Sequence, residues 1–320
     1  MHNFKNKTIA VIGGSGYIGS SLIETLIDEA KRIICISREN HIHQIGVDFW
    51  QLDLKKRDSW INIISESDII FYLGGNTSIY DAEKNPEANL FSTLCPIINM
   101  IEVAKELSKV PRVIFASTVT VYGLTDILPV SESSKASPIS IYDLHKVFAE
   151  KHLTMATKNN TIHATSLRLS NVFGPSPSES SLKDRGVVNK LIKIALKGKD
   201  LQIYGDGNYL RDYIFIDDVV SAFIQVANSK NTIGKIFNVS SQVGFTIREV
   251  IELIANNVSE LINQKITIKQ SPWPSGMSDI EKRSFIGNSN ALYNATKWKP
   301  KISLRQGINK TINFYWNQTN

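Results

Sequence analysis

The sequence predicts an α/β protein in which a doubly wound parallel sheet is joined to a smaller, mixed α/β lobe. Two observations support this fold class. Up to Gly174, apolar runs of strand length alternate with segments whose apolar residues recur at helical spacing. After Gly174 the chain becomes rich in proline, serine and charge, and the predicted elements become shorter. Alternating strands and helices form parallel sheets with right-handed crossovers and helices on both faces.

Six apolar runs are predicted to be the strands of the sheet: 8–14, 32–37, 47–54, 67–75, 113–123 and 165–174. Apolar residues from Leu90 to Ala104 recur every three or four positions, which predicts one long amphipathic helix. A further helix is expected after Pro138, with Ser140 as its N-cap and Asp143 three residues later.

The stretch GGSGYIGS (13–20) lies between the first predicted strand and the first predicted helix. Glycines at 13, 16 and 19 allow backbone N–H groups and the helix N-terminus to face a pyrophosphate. The spacing alone is a weak signal, because a tight turn with close helix packing needs the same glycines. The strand before it and the helix after it favour dinucleotide binding.

We therefore expect a dinucleotide-binding Rossmann domain at 1–174, to which the chain returns near 211–242. Residues 175–320 are expected to form mainly a substrate-binding lobe. This lobe is expected to begin with a loop at 175–186, PSPSESSLKDRG.

The end of the second strand indicates which cofactor is bound. An acidic residue there favours NAD, whereas an arginine accommodates the 2′-phosphate of NADP. The sequence has Ser37 and Arg38 at the strand end, and Glu39 comes one position late. We expect NADP or NAD, with NADP favoured by Arg38; the alternative is that Arg38 is only a solvated loop residue.

Composition limits the other function classes. The net charge of +6 is spread along the chain without a dense basic block, so we expect no nucleic-acid partner. No apolar run approaches membrane-spanning length and the N-terminal residues lack a signal-peptide pattern, so we expect a cytoplasmic protein without a membrane partner. Cys35 and Cys95 lie in apolar contexts, which favours buried thiols over a disulfide. No Cys/His group has zinc spacing, and we expect no metal site.

Two features point to proton transfer. Ser117 and Thr118 interrupt an apolar strand, where buried hydroxyls are costly unless they are bonded. Tyr142 and Lys146 are four residues apart on one predicted helix face. A nearby ammonium lowers the pKa of a phenol, so we expect Tyr142 to exchange a proton with an alcohol or ketone. An ordinary helix pair is the alternative reading of this spacing.

The combination resembles the extended branch of the short-chain dehydrogenase/reductase superfamily, which comprises nucleotide-sugar epimerases, dehydratases and reductases. The resemblance covers essentially the whole chain, in order. The motifs that carry it are GGSGYIG (13–19), DL (53–54), YLGG (72–75), FASTVTVYG (115–123), YDLHK (142–146), RLSNVFGP (168–175), IYGDGNYLRDYIFIDDV (203–219) and the closing KWKPKISLRQGINKTINFYW.

This resemblance implies roles for individual residues. The implied catalytic residues are Thr118, Tyr142 and Lys146. The implied cofactor-binding residues are Gly13, Gly16, Tyr17, Ile18, Gly19, Ser37, Arg38, Asp53, Leu54, Leu73, Gly74 and Gly75, together with Tyr142 and Lys146. The implied substrate-binding residues are Asn171, Arg211 and Arg283 on the diphosphate, with Thr118 and Tyr142 on the sugar.

Other readings of the two arginines remain open. Arg211 could instead form an ion pair with Asp212 or Asp218, and Arg283 could be a surface charge. The resemblance also implies a nucleotide-diphosphate sugar as substrate. It further implies a homodimer formed through the helices near 88–108 and 141–157.

The residues after Thr118 indicate the reaction. Family 4,6-dehydratases carry an Asp-Glu pair there and the decarboxylases carry a Glu, whereas this chain has Val119 and Thr120. Neither side chain is a general acid or base, so these two reactions are disfavoured. We expect a nucleotide-sugar epimerase acting at C4 through a transient 4-keto sugar. The alternatives are an NADPH-dependent 4-keto reductase of a nucleotide-linked deoxysugar and a non-catalytic dinucleotide-binding sensor.

Overall fold

The structure, a computed structural model, describes residues 4–38, 45–75, 78–176, 186–277 and 279–319. The strands are β1 (Thr8–Ile12), β2 (Arg32–Ser37), β3 (Val47–Gln51), β4 (Ile69–Tyr72), β5 (Arg112–Thr118), β6 (His163–Leu169), β7 (Asn171–Phe173), β8 (Leu201–Tyr204), β9 (Leu210–Phe215), β10 (Ile236–Val239), β11 (Gly244–Thr246) and β12 (Ile268–Ser271).

Helices connect most of these strands. The α-helices are α1 (Tyr17–Leu26), α2 (Ser59–Glu66), α3 (Ile79–Lys84), α4 (Pro86–Thr93), α5 (Cys95–Glu106), α6 (Ile141–Lys158), α7 (Gly186–Leu196), α8 (Ile216–Asn228), α9 (Ile247–Ile262), α10 (Asn290–Thr296) and α11 (Leu304–Thr319). Short 3-10 helices are present at Val119–Tyr122, Lys230–Thr232 and Asp279–Lys282.

The main sheet has seven parallel strands in the order β10-β6-β5-β4-β1-β2-β3. This confirms the predicted fold class. Strand β1 lies inside the sheet, where Val11 pairs with Cys35 on one side and with Phe71 on the other. A three-stranded sheet (β11-β9-β7) and a two-stranded sheet (β12-β8) lie outside the main sheet.

Both faces of the main sheet are buried, which explains why its strands are continuous apolar runs. Ile9 and Val11 face a core shared with α1 and α8, whereas Ala10 and Ile12 face a core shared with α2 and α5. This alternation is the two-residue period of a strand. Among the described residues, no helix is long and apolar enough to cross a bilayer.

Three predicted elements differ from the structure. The predicted strand 113–123 ends at Thr118, because the Thr118 hydroxyl accepts the Thr120 N–H and starts a 3-10 helix. The predicted strand 165–174 divides at Ser170 into β6 in the main sheet and β7 in the three-stranded sheet. The predicted long helix divides into α4 and α5 next to Pro96, whose nitrogen cannot donate a hydrogen bond.

Most of the predicted loop 175–186 lies outside the described residues, since positions 177–185 are not among them. In the described part that follows, β9 and α8 lead to β10, which adds to one edge of the main sheet beside β6. The carboxyl ends of β1, β2, β4, β5 and β6 consequently open on the same edge of the sheet. Ligands of such sheets bind at this edge.

Candidate active site

The glycine loop after β1 is closely packed on the end of β4. Gly13 has a φ of +76°, and a Cβ there would lie 3.0 Å from Gly74 Cα. A Cβ on Gly19 would lie 2.3 Å from the carbonyl oxygen of Gly13. Both positions therefore require glycine.

The loop also leads directly into α1, whose N-cap is Gly16 in an extended conformation. Helix N-termini carry N–H groups without intrahelical acceptors, beginning here with those of Tyr17 and Ile18. A pyrophosphate supplies acceptors for such groups and also suits the positive end of the helix dipole. The cradle thus fits the diphosphate of a dinucleotide.

At the end of β2, the Ser37 hydroxyl contacts the glycine loop, and the exposed Arg38 follows in sequence. Ser15 Oγ in the glycine loop lies 2.5 Å from Ser37 Oγ. Arg38 is exposed, and its carbonyl oxygen accepts a hydrogen bond from Gln51 Nε2 at 2.8 Å. Glu39 lies outside the described residues. These groups are donors suited to a phosphate.

The predicted adenine and groove residues follow β3 and β4. The Asp53 carboxylate accepts the Lys55 N–H at 3.1 Å, and the Leu54 carbonyl accepts Trp60 Nε1 at 2.9 Å. Leu73, Gly74 and Gly75 continue from β4. The Leu73 N–H donates to the Ile12 carbonyl at 2.9 Å, which holds this segment beside β1.

Helix α6 places Tyr142 and Lys146 at the carboxyl end of β5. Ser140 caps this helix as predicted, because its Oγ accepts the Asp143 N–H at 3.1 Å. Lys146 Nζ donates to the Ala116 carbonyl at 3.0 Å and lies 5.8 Å from the centroid of the Tyr142 ring. A Cβ on Gly75 would lie 3.9 Å from Lys146 Nζ, so the glycine segment after β4 borders the Tyr–Lys pair.

The pKa values of this pair differ from the sequence-based expectation. Burial, followed by the negative charge of Asp143, raises the pKa of Tyr142 above its ordinary value, so the expected lowering is not found. Burial also lowers the pKa of Lys146 to about 8, while Glu150 opposes this change. The Lys146 ammonium donates to the Ala116 carbonyl, and desolvation is the largest influence on the pKa of the Tyr142 phenol.

The two hydroxyls of the interrupted strand have separate partners. Ser117 Oγ donates to Glu150 Oε1 at 2.6 Å, and the same carboxylate receives Arg168 Nε at 2.9 Å and Nη2 at 2.7 Å. All three side chains are buried. Ser117 thus donates a hydrogen bond to the buried Glu150–Arg168 ion pair beneath the site, and this bond satisfies its hydroxyl.

Thr118 faces a different set of groups. Its Oγ1 lies 2.9 Å from Thr120 Oγ1, and the Thr120 hydroxyl donates to Asp143 Oδ1. Asp143 Oδ2 accepts the Ser140 hydroxyl at 2.7 Å. The hydroxyl of Thr120 thus links Thr118 to the fully buried carboxyl of Asp143.

The predicted diphosphate residues meet between β7, β9 and the segment 281–283. Asn171 Nδ2 donates to the Asp212 carbonyl at 3.0 Å. The Arg211 guanidinium donates to the backbone carbonyls of Arg283 and, at 2.6 Å, Glu281. The alternative ion pairs of Arg211 are not formed, because Asp212 accepts backbone N–H groups and Asp218 accepts those of residues 301 and 302.

Arg283 is buried, with 7% of its surface exposed, and the surface-charge alternative is wrong. Among the described residues, no hydrogen-bond partner faces its Nε or Nη1. Burial, and then the charge of Arg211, lower the pKa of Arg283 to about 10, although Asp143 acts in the opposite direction. Two guanidinium groups thus lie close together in a poorly hydrated place, which suits an anionic ligand.

Sequence reasoning missed several residues that build this site: Asp143, Glu150, Arg168 and Asp212. A usable signal existed for two of them. Glu150 lies one helical turn beyond Lys146, and Arg168 interrupts a buried strand. In the sheet, Arg168 is registered opposite Ser117, which places its guanidinium beneath the site.

Known proteins resemble this chain over most of its length. The family model described as "NAD dependent epimerase/dehydratase family" matches residues 9–240. A putative UDP-glucose 4-epimerase of Methanocaldococcus jannaschii is 26% identical, and 97% of this chain and 98% of that protein are covered. A UDP-glucose 4-epimerase of Mycolicibacterium smegmatis is 27% identical, with the same coverage.

A solved structure gives the same picture. The UDP-N-acetylglucosamine 4-epimerase of Methanobrevibacter ruminantium, in complex with UDP-N-acetylmuramic acid, superposes with a TM-score of 0.85 at 26% identity. The match covers 98% of this chain and 100% of that one. Because the family model matches residues 9–240 and the relatives are covered over nearly their whole length, this protein belongs to the NAD dependent epimerase/dehydratase family and is an enzyme of the extended short-chain dehydrogenase/reductase type.

Proposed function

We propose that the protein is a nucleotide-sugar 4-epimerase that acts on a nucleotide-diphosphate hexose through a transient 4-keto sugar. The observation that carries the proposal is that Lys146 lies beside the Tyr142 ring and donates to the Ala116 carbonyl, two residues before Thr118, while the glycine segment after β4 borders Lys146. The relatives named above are UDP-sugar 4-epimerases, which supports UDP-hexoses as the first substrates to test.

The chain's own residues account for the proton transfers. Tyr142 in its phenolate form accepts the proton of the sugar 4-OH, and as a phenol it returns that proton to the keto oxygen. Thr118 bonds the same sugar oxygen and holds it beside Tyr142. A bound nicotinamide would supply the hydride chemistry at C4, and its positive charge in the oxidised form would favour the phenolate of Tyr142.

The residues after Thr118 support epimerisation over dehydration or decarboxylation. Val119 and Thr120 carry no acid or base, and the neighbouring Asp143 carboxyl is fully buried with both oxygens bonded to hydroxyls. Asp143 therefore does not reach a sugar carbon directly. One hydride and one proton suffice for epimerisation at C4.

Arg283 and Arg211 are proposed to bind the diphosphate, with Asn171 beside them. Oxygens of a diphosphate would accept hydrogen bonds from Nε and Nη1 of Arg283, and its negative charge would offset the repulsion between the two guanidinium groups. Charge-assisted hydrogen bonds of this kind are among the stronger ones in proteins.

We propose NADP as the preferred cofactor over NAD. Support for NADP comes from the end of β2, where the Ser37 hydroxyl contacts that of Ser15 in the glycine loop and the exposed Arg38 follows directly; these side chains could donate to a 2′-phosphate. Asp53 and Leu54 are proposed to flank the adenine, and Leu73, Gly74 and Gly75 to line the groove towards the nicotinamide.

A second copy of the chain is the proposed partner. Helices α4, α5 and α6 expose large apolar side chains, including Phe91, Ile98, Phe148 and Met155. Phe148 and Met155 are two turns apart on the same face of α6. Exposed apolar side chains at such spacing suit a helix-to-helix interface in a homodimer.

A 4-keto reductase is the second candidate, and two observations favour it. The raised pKa of Tyr142 keeps it protonated, as a proton donor to an alkoxide must be. The groups around Arg38 suit NADPH, which a reductase consumes stoichiometrically.

The test incubates the purified protein with UDP-glucose or UDP-N-acetylglucosamine and catalytic NADP or NAD, and follows the sugar by NMR. Formation of the C4 epimer supports the proposal. Tyr142→Phe is expected to lower the rate by at least about a hundredfold while cofactor affinity stays near that of the wild type. Stoichiometric NADPH oxidation with a 4-keto nucleotide sugar, without epimer formation, would establish the reductase instead. Cofactor binding with no turnover of any nucleotide sugar indicates a sensor.

A further inference from the structure

A row of contacts leads from a buried carboxyl group to the proposed catalytic hydroxyl. It runs from Asp143 through Thr120 to Thr118, and each member contacts the next. We propose that Asp143 takes up a proton when the diphosphate of the substrate binds Arg283, and that the neutral carboxyl turns Thr118 into a hydrogen-bond donor to the sugar oxygen. Asp143 and Thr120 are thus positioning residues. The inference rests on the proposed function, which places the diphosphate at Arg283 and the sugar at Thr118.

With Asp143 ionised, the Thr118 hydroxyl has no hydrogen for a sugar. An ionised carboxylate only accepts hydrogen bonds, and a hydroxyl has one hydrogen to donate. The Thr120 hydroxyl gives its hydrogen to Asp143 Oδ1 in this state. At the 2.9 Å contact between the two threonine hydroxyls, Thr118 is therefore the donor.

Protonation of Asp143 reverses the row. A neutral carboxyl donates one hydrogen, which goes to Thr120 Oγ1, and the Thr120 hydrogen passes to Thr118 Oγ1. Thr118 also accepts the Thr120 N–H at 3.2 Å, so its lone pairs are used and its own hydrogen is free. The Ser140 hydroxyl still donates to Asp143 Oδ2 at 2.7 Å. Thr118 then donates to the sugar 4-oxygen while that oxygen gives its hydrogen to the Tyr142 phenolate.

The surroundings of Asp143 link its proton to the diphosphate. Asp143 is fully buried, and burial is the largest influence on its pKa, which is raised. Hydrogen bonds from Thr120 and Ser140 and the positive charge of Arg283 act in the opposite direction. The negative charge of Glu83, on α3, raises the pKa further. A diphosphate on Arg283 offsets the charge that favours the carboxylate and adds negative charge, so its binding draws a proton from solvent onto Asp143.

The neutral carboxyl also favours proton transfer by Tyr142. After burial, the negative charge of Asp143 is the second cause of the raised pKa of Tyr142, its neighbour on α6. Protonation of Asp143 removes this charge, so the phenolate that accepts the sugar proton forms more readily. Binding of the diphosphate thus prepares both groups that contact the sugar oxygen.

A purely structural role for Asp143 is the competing explanation. Asp143 lies in the first turn of α6, where its N–H and one carboxylate oxygen contact the capping residue Ser140. A carboxylate kept only for this contact stays ionised when the substrate binds and takes up no proton. Ser140→Ala removes the cap and is expected to lower the melting temperature while the substrate still draws a proton.

The experiment is isothermal titration of UDP-glucose into the protein loaded with its nicotinamide cofactor in the reduced form, which prevents oxidation of the sugar. Buffers of different ionisation enthalpy count the protons taken up between about pH 5 and 7, where Lys146, with a pKa of about 8, still holds its proton. The diphosphate of UDP-glucose is esterified at both ends and does not titrate there. We expect uptake of up to about one proton, so the affinity falls with rising pH, by up to about tenfold per pH unit.

Four variants assign this uptake and its effect. Asp143→Asn is expected to bind UDP-glucose without the uptake, because an amide does not titrate, whereas Tyr142→Phe, the control for the neighbouring phenol, retains it. Thr120→Val frees Thr118 from the row. Above the pH range of uptake, where Asp143 is ionised in the complex, this variant is expected to have a kcat about fivefold higher than the wild type, the factor that one net hydrogen bond supplies. Thr120→Ser keeps the row and is expected to match the wild type.

Each outcome decides the inference. No uptake by the wild type, or equal uptake by Asp143→Asn, overturns it, while binding of UDP-glucose and epimer formation with the oxidised cofactor keep the proposed function intact. Identical pH–rate profiles for Thr120→Val and the wild type overturn the part assigned to Thr120. If Asp143→Asn does not fold, a wild-type affinity that stays constant with pH overturns the proposal. If the wild type neither binds UDP-glucose nor forms the epimer, the proposed function falls and the inference falls with it.

Discussion

Replacing Arg283 with methionine should stabilise the ligand-free protein and weaken nucleotide binding at the same time. The Arg283 guanidinium is buried, and Nε and Nη1 face no hydrogen-bond partner among the described residues. Burial and the nearby Arg211 charge lower its pKa from 12.5 to about 10. At about 1.4 kcal/mol per pKa unit, holding the charged form in the fold costs about 3 kcal/mol. Methionine keeps much of the side-chain volume and removes this cost.

The measurement is urea denaturation of the ligand-free variant and wild type. Arg283→Met is expected to raise the free energy of unfolding by up to about 3 kcal/mol. Lys282→Met is the matched control, since Lys282 is exposed and its replacement should change stability by less than about 0.5 kcal/mol.

The same variant should bind UDP at least about tenfold more weakly, because charge-assisted hydrogen bonds to the diphosphate are lost. Isothermal titration with UDP measures this. If Arg283→Met were less stable than the wild type and bound UDP equally well, Arg283 would be a structural residue, and both parts of the reasoning would be refuted.

Three further predictions concern the cofactor, the lysine and the partner. Arg38→Ala should weaken NADP binding about tenfold or more and leave NAD nearly unchanged, with Arg305→Ala on α11 as control; equal losses for both cofactors would contradict the NADP proposal. Burial lowers the pKa of Lys146 to about 8, so the unfolded state holds this proton more tightly and the free energy of unfolding rises with pH between about 8 and 10.5. The free energy of unfolding of the wild type relative to Lys146→Met should therefore increase by up to about 3 kcal/mol across that window. A difference between the two proteins that stays constant with pH in urea denaturation would refute the lowered pKa. Phe148→Glu on α6 should give a monomer in light scattering while Leu261→Glu on α9 does not; a wild-type monomer at micromolar concentration would rule out the dimer.

Local patterns were enough to predict the sheet and its phosphate loop. Buried parallel strands need continuous apolar runs such as that from Thr8 to Ile12, and a glycine loop between such a strand and a helix favours phosphate binding. The Tyr142–Lys146 pair could be read from its spacing on one helix face. The ends of elements were less accurate, because Thr118 and Pro96 altered the backbone through a side-chain hydrogen bond and a missing N–H.

Tertiary contacts governed the parts that local patterns did not predict. Ser117 and Thr118 are adjacent and chemically alike, yet one joins the buried Glu150–Arg168 pair and the other faces the proposed substrate. Successive side chains of a strand point to opposite faces of the sheet, and the residues that pack on each face come from distant parts of the chain.

By itself the sequence determined the fold class, the glycine turn before α1 and the placing of Tyr142 and Lys146 on one face of a helix, because each depends on residues close together along the chain. Only the tertiary structure decided that the pKa of Tyr142 is raised, that Arg283 is buried beside Arg211, and that Asp143 stands behind Thr118. Burial and charge act through space at a few ångströms, and the groups that impose them are separated by up to 140 residues of chain, as are Asp143 and Arg283.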